Sequence, residues 1–206
     1  MARKRLDVES ALASLAMFRA ATGRAGLANP EDRAAFQAWK RSRITDLVHR
    51  IREEAVSARP GVALTVAAWN RPDTARDQYL QDSVLWLNEG SIDRVIPMIY
   101  TDKDDQYETN LKAWLAATPN LPVSPGVASY MHAIGQTPRQ LQLAVSLTHA
   151  NGYCLFSYAS IFESIDPSQR RDDKAVQERA QRRASIVAWV HATYPETAPP
   201  PPDAPK

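Results

Sequence analysis

The stretch GSIDRVIPMIYTDKDDQYETNLKAW, residues 90–114, decides the fold. Its apolar run 95–100 is short and bounded by polar residues, which predicts a buried strand rather than a helix. The run gives way at once to Asp102, Asp104 and Asp105, so the acids sit where the strand leaves its sheet and a loop begins. Residues 106–117 then place Tyr107, Leu111 and Trp114 on one helical stripe. A strand feeding directly into a helix is the unit of a parallel sheet, whose carboxyl edge is where ligands usually bind.

Outward from this stretch the same arrangement repeats. VALTVAAW (62–69) reads as a strand rich in β-branched and small apolar residues, and QYLQDSVLWLNEG (78–90) as a helical segment closed by Gly90. LPVSPGVASY (121–130) reads as a strand weakened by Pro122 and Pro125, which cannot donate to a ladder. Residues 137–152 form a helix opened by Thr137 and Pro138, and YCLFSYASI (153–161) is a further strand. Upstream, a long amphipathic helix starts at Asn29-Pro30-Glu31-Asp32 and carries Phe36, Trp39, Ile44, Leu47, Val48 and Ile51 on its apolar side. A shorter helix covers 8–21, a last one 172–193, and PETAPPPPDAPK ends the chain as an extended, proline-rich tail. The segments divide as an N-terminal helical part (1–28), a main domain (29–194) and the tail (195–206).

Alternating strands and helices predict an α/β fold with a parallel sheet and right-handed crossovers. Gly61, Gly90, Gly126 and Gly152 occur singly, so no glycine-rich phosphate loop follows any strand. Half of an eight-stranded barrel therefore fits better than a nucleotide-binding sheet.

Composition removes several classes of function. With 25 basic against 23 acidic residues, the formal charge of +2 gives no electrostatic case for nucleic acid. Arg179, Arg182 and Arg183 lie among acids in the last helix, as a solvated face does. The single cysteine, Cys154, allows no intrachain disulfide and no cysteine zinc cluster, and its apolar neighbours predict a buried small hydrophobe. The four histidines show no metal-binding spacing, although His132 follows Ser129-Tyr130-Met131 in a loop that could approach a ligand. No metal or cofactor is implied. No run of 18 apolar residues exists for a membrane span, and the start MARKRLDVESALASLAMF makes a poor signal peptide.

Four segments carry a resemblance: FQAWKRSRITDLVHRIREEAVSARPGVALTVAAW, QDSVLWLNEGSIDRVIPMIYT, PVSPGVASY and GYCLFSYASIF. Together, over roughly residues 18–165, they resemble the second half of the glycosyl hydrolase-like family 10 domain. The order and spacing of Gln81-Asp82, Trp86-Leu87-Asn88-Glu89-Gly90, Asp93, Pro97-Met98 and Tyr100 are the specific part. The resemblance implies a (β/α)8 barrel of the bacterial envelope, with some members acting on peptidoglycan. The four strands would be barrel strands five to eight, a partial TIM barrel. Two departures stand out. Ser83 follows the Gln-Asp pair where an aromatic is usual, and the family's acidic residue and arginine near the end of strand four would precede this chain.

Glycosidic cleavage needs two carboxyl groups flanking the scissile bond, and a barrel supplies them from the carboxyl ends of different strands. Asp102 is the best placed candidate, as a catalytic or substrate-binding acid or as a solvated loop residue; Asp73 and Glu163 are the others. Asp93 precedes its strand, so a loop hydrogen bond fits it better, and Asp82 is expected to anchor a turn. Tyr100 and Tyr158 fall late in their strands, either stacking on a sugar or filling the top core layer. Trp69 and Asn70 pair an apolar platform with an amide, which suits carbohydrate, and barrel-top packing is the alternative.

Four strands alone leave two edges unpaired and an apolar interior wet. A missing barrel half, self-association or residues 1–28 folded over an edge would complete the fold, a missing half being the favoured expectation, and the chain alone is expected to be oligomeric, poorly soluble or inactive. Three functions remain open: a glycoside hydrolase-like domain on a bacterial cell-wall glycan, a non-catalytic carbohydrate-binding or scaffold module, and a small open-sheet protein-interaction domain.

Overall fold

A computed structural model describes residues 2–24, 26–148, 152–162 and 173–195. Glu163, His149 and the tail beyond residue 195 lie outside the described residues. The fold is mixed α/β, rich in helix with short strands, and it divides into two compact units at the junction of Arg94 and Val95.

The first unit holds α1 (Ala2–Thr22), α2 (Pro30–Ala58), β1 (Thr65–Ala68), α3 (Pro72–Gln78) and α4 (Ser83–Asn88). The start of α2 is as the sequence predicts: the Asn29 side chain accepts from the Asp32 N–H at 2.7 Å, with Pro30 and two acids in the first turn. Phe18 of α1 is fully buried against Phe36 and Trp39 of α2, with ring centroids 5.2 and 5.8 Å away.

The helix expected over 78–90 shortens to α4, and a separate helix, α3, forms just before it, where no helix was expected. Leu80 sits at φ 61°, a left-handed conformation that no helix interior tolerates, so α3 ends at Gln78 and α4 restarts at Ser83. The Gln81 amide uses this break: it accepts from the Trp69 N–H at 2.9 Å and donates to the Ala67 carbonyl at 3.2 Å, serving the end of β1 as a neighbouring strand would. Asp82 lies 3.5 Å from Arg41 and 3.8 Å from Arg76. Trp86 is buried and donates its indole N–H to Thr45 on α2 at 2.9 Å. Glu89 pairs with His49 of α2 and accepts from the Ser91 hydroxyl at 2.7 Å. Gly90 takes φ 75° where the chain leaves α4. Asp93 accepts from the Leu64 N–H at 2.6 Å and from Arg52 of α2. The motif that looked most specific in the sequence is thus a set of ties holding α4 and the approach to β1 onto α2.

The second unit follows β2 (Arg94–Pro97) with α5 (Asp104–Ala117), β3 (Gly126–Ala128), α6 (Gln136–Thr148), β4 (Cys154–Phe156), a short 3-10 turn (Tyr158–Ser160) and α7 (Asp173–Thr193). Val95 is bridged in parallel to Val123: its N–H donates to the Pro122 carbonyl at 3.1 Å, and the Ser124 N–H donates back to its carbonyl at 3.0 Å. β3 and β4 are parallel, with Gly126 opposite Cys154, Val127 opposite Leu155 and Ala128 opposite Phe156. Both prolines that weakened the third strand in the sequence are used as acceptors, Pro122 from Val95 and Pro125 from Cys154 at 3.0 Å, so neither missing N–H is felt. Val95, Ile99, Tyr107, Leu111, Trp114, Val123, Val127, Leu141 and Ala144 are fully buried and form the core of this unit. The order strand, helix, strand, helix, strand, with each strand beside the next in sequence, is the parallel crossover pattern expected from the alternation. Cys154 is half-buried rather than buried.

Candidate functional site

The carboxyl ends of β2, β3 and β4 bring together Tyr100, Tyr130 and Phe156. Tyr100 stacks on Phe156 with centroids 5.2 Å apart and planes 20° from parallel. Tyr130 meets both edge-on, at 6.3 Å from Tyr100 and 6.0 Å from Phe156. Tyr130 and Phe156 remain 48% and 47% exposed, so the cluster offers ring surface to solvent at the edge where a parallel sheet places its ligands. Tyr100 is more deeply set, and burial pushes its phenol up from the ordinary range.

Gly126 makes this position of Tyr100 possible. A Cβ there would lie 2.9 Å from Tyr100 Cε1 and 3.0 Å from the Pro97 carbonyl oxygen. Beneath the rings, fully buried Ser129 hydrogen-bonds the Phe156 carbonyl at 3.1 Å and the Ser160 hydroxyl at 2.6 Å, tying the end of β3 to the turn after β4. The Phe156–Ser157 peptide bond is cis.

The structure separates the residues that the sequence grouped. Tyr158 begins the 3-10 turn beyond β4, 65% exposed, and stacks on Phe162 at 4.6 Å rather than on Tyr100. Phe156 takes the place beside Tyr100 because β4 ends there, three residues into its strand. Trp69 and Asn70 belong to the first unit, where Trp69 stacks on Tyr79 at 4.1 Å, both rings partly exposed. Asn70 is half-buried after β1. Tyr130 and Phe156 were not among the expected site residues; Tyr130 ends its expected strand, whereas Phe156 lies in the middle of the expected strand 153–161 and comes to the edge only because β4 stops there.

The acids after β2 have divergent environments. Asp102 is exposed, and its backbone carbonyl accepts from the Gln136 amide. Asp104 opens α5 and accepts from Arg139 at 2.9 Å and from Gln136 and Gln140 at 3.2 Å each. Partial burial works to raise its carboxyl, but Arg139 and the two amides hold it below the usual carboxylate range. Asp73 is lowered by its hydrogen bond to Arg71. Asp93 is lowered chiefly by the Leu64 N–H, and Glu89 chiefly by His49. Among the described residues, the carboxyls whose ionisation the fold visibly shifts are driven toward the charged form, the reverse of what a proton-donating general acid requires.

His132 does not reach outward as its loop suggested. It is 3% exposed, with Nε2 3.0 Å from the Thr101 carbonyl oxygen and Nδ1 3.0 Å from the Thr137 hydroxyl. The carbonyl can only accept, so Nε2 carries the proton, and burial lowers the ring's pKa. Among the described residues no group of three His, Cys, Asp or Glu side chains is placed to hold a metal. None of the described helices is long and apolar enough to cross a membrane.

No curated protein matches the chain. Residues 7–128 match the family model for glycosyl hydrolase-like 10, a stretch that runs from α1 through β3 and so includes the ties around α4 together with Tyr100. That match covers more than half of the 206 residues, and the chain belongs to the glycosyl hydrolase-like 10 family.

Proposed function

We propose that this glycosyl hydrolase-like domain grips a bacterial cell-wall glycan on the aromatic rim formed by Tyr100, Tyr130 and Phe156. The observation that carries the proposal is the convergence of three rings from three successive strand ends, two of them about half exposed. Sugar rings present an apolar C–H face that stacks on such a surface, while their hydroxyls need polar groups at its margin. Asp102, exposed beyond β2, is the carboxylate offered to a sugar hydroxyl. Tyr158 with Phe162 extends the aromatic surface beyond β4, and Trp69 with Tyr79 provides a separate platform in the first unit, with Asn70 next in sequence.

A binding role is favoured for this chain because the rim offers exposed ring surface, while the nearby Asp104 carboxylate is already engaged by Arg139, Gln136 and Gln140. The strands correspond in this proposal to part of a (β/α)8 barrel. Separately, α2 is a 29-residue helix with no buried residue, and its Ile44, Leu47 and Ile51 form an exposed apolar stripe against which a second copy of the chain would pack.

Purified sacculi and soluble glycan fragments test the rim. The wild-type chain is expected to sediment with sacculi and to release no new reducing ends. Phe156→Ala should weaken binding about three- to tenfold, the worth of one aromatic contact. Unaltered retention of that variant, or a wild-type chain that stays in the supernatant, would sink the proposal.

A further inference from the structure

Beside the aromatic rim lies a pocket of about 190 Å³, with Tyr130, Ser157, Ser160, Glu178, Arg179 and Arg182 on its walls. Tyr130 is common to the pocket and the aromatic cluster, so a ring stacked on the rim carries its substituents to the pocket mouth. The two guanidinium groups come from adjacent turns of α7, and the Nε of each is buried with no hydrogen-bond partner among the described residues. Arg182 is held in place through its terminal nitrogens, which donate to the Ser160 carbonyl at 3.0 Å and the His132 carbonyl at 3.3 Å.

Arg179 and Arg182 are both half-buried on the pocket wall, so their guanidinium charges face its interior through a partly desolvated surface, where a charge-assisted partner is favoured. Among the described residues of the lining, two guanidinium groups face one carboxylate, Glu178, and so select a negative group. A carboxylate fits best, since its paired oxygens match the guanidinium fork. We propose that this pocket is a subsite for the carboxylate substituent of an acidic sugar unit bound on the rim. The inference rests on the glycan-binding role proposed above and names the class of sugar. It also gives Arg179 and Arg182 a task that the sequence, which put them on a solvated face, did not suggest.

The test is a titration of the full chain, labelled with nitrogen-15, using N-acetylmuramic acid and its methyl ester, which differ only in the charge of the lactyl group. The acid is expected to shift the Nε–Hε resonances of Arg179 and Arg182. It should bind about tenfold more tightly than the ester, as a charge-assisted pair allows. Arg179→Met should bring the acid down to the ester's affinity, and Arg179→Lys should retain part of the preference. Thermal melting checks that both variants fold, which is expected because the Arg179 Nε forms no internal bond.

Equal affinities of acid and ester, or a preference that survives Arg179→Met, would overturn the subsite. Tighter binding of inorganic phosphate than of the acid would overturn the carboxylate assignment. An ester that binds as well as the acid removes the pocket and leaves the rim standing. An acid that moves the arginine resonances while the ester is silent keeps the pocket and removes the neutral sugar platform.

Discussion

Tyr100 lies over the sheet only because residue 126 has no side chain beyond hydrogen. Gly126→Ala places a methyl group 2.9 Å from the Tyr100 ring and 3.0 Å from a backbone oxygen that cannot swing away. The variant is expected to lose about 1–3 kcal/mol in urea denaturation, the usual cost of overpacking, and to weaken glycan binding as Tyr100 moves. Unchanged stability would show that the ring does not need this close approach. His132 gives a second prediction at the same scale. Its folded pKa is depressed by burial, so below the unfolded value of about 6.5 the unfolded chain takes up the proton more readily. The stabilising effect is complete above that pH and is lost as the pH falls from there through the folded value. Melting temperature should therefore decline as the pH falls below about 6.5, before the depressed carboxylates protonate. His132→Gln should flatten that decline; an equally steep profile in the variant would assign it to other groups.

At the scale of elements, the ties made by Gln81, Trp86, Glu89 and Asp93 explain why these residue types occur together. Each bonds the start or the end of β1, or α2. Asp93→Ala leaves the Leu64 N–H without its acceptor and Arg52 without its partner, and about 1 kcal/mol of stability should go with them. The carboxyl is held low by the Leu64 N–H first and Arg52 second, so its contribution is present above about pH 4 and is lost below it. Chemical denaturation followed by tryptophan fluorescence at pH 7 and pH 3 checks both statements. A variant as stable as the wild type at pH 7 would mean that water replaces the carboxylate at no cost. The strand ends are an element-scale outcome too. The segment expected to run as a strand over 153–161 stops at Phe156 and turns, which exchanges Tyr158 for Phe156 as the neighbour of Tyr100.

For the whole molecule, the apolar stripe of α2 gives the measurable consequence. Ile44, Leu47 and Ile51 are 37%, 43% and 42% exposed, a surface that a second copy would cover. Sedimentation velocity should show mass rising with concentration, and Leu47→Glu with Ile51→Lys should return the chain to a monomer. A wild-type monomer across the micromolar range would count against assembly by self-association. By itself the sequence determined the α/β class, the parallel order of strands and helices, the start of α2 and the membership of a glycosyl hydrolase-like family. These depend on local periodicity, capping chemistry and motif spacing, all of which are written along the chain. Which aromatic joined Tyr100, which acid was neutralised, the burial of His132 and the pairing of Arg179 with Arg182 around one pocket were decided only by tertiary structure. Each depends on where a short strand stops and on which distant side chain then arrives within hydrogen-bonding or stacking distance, and no periodicity encodes that.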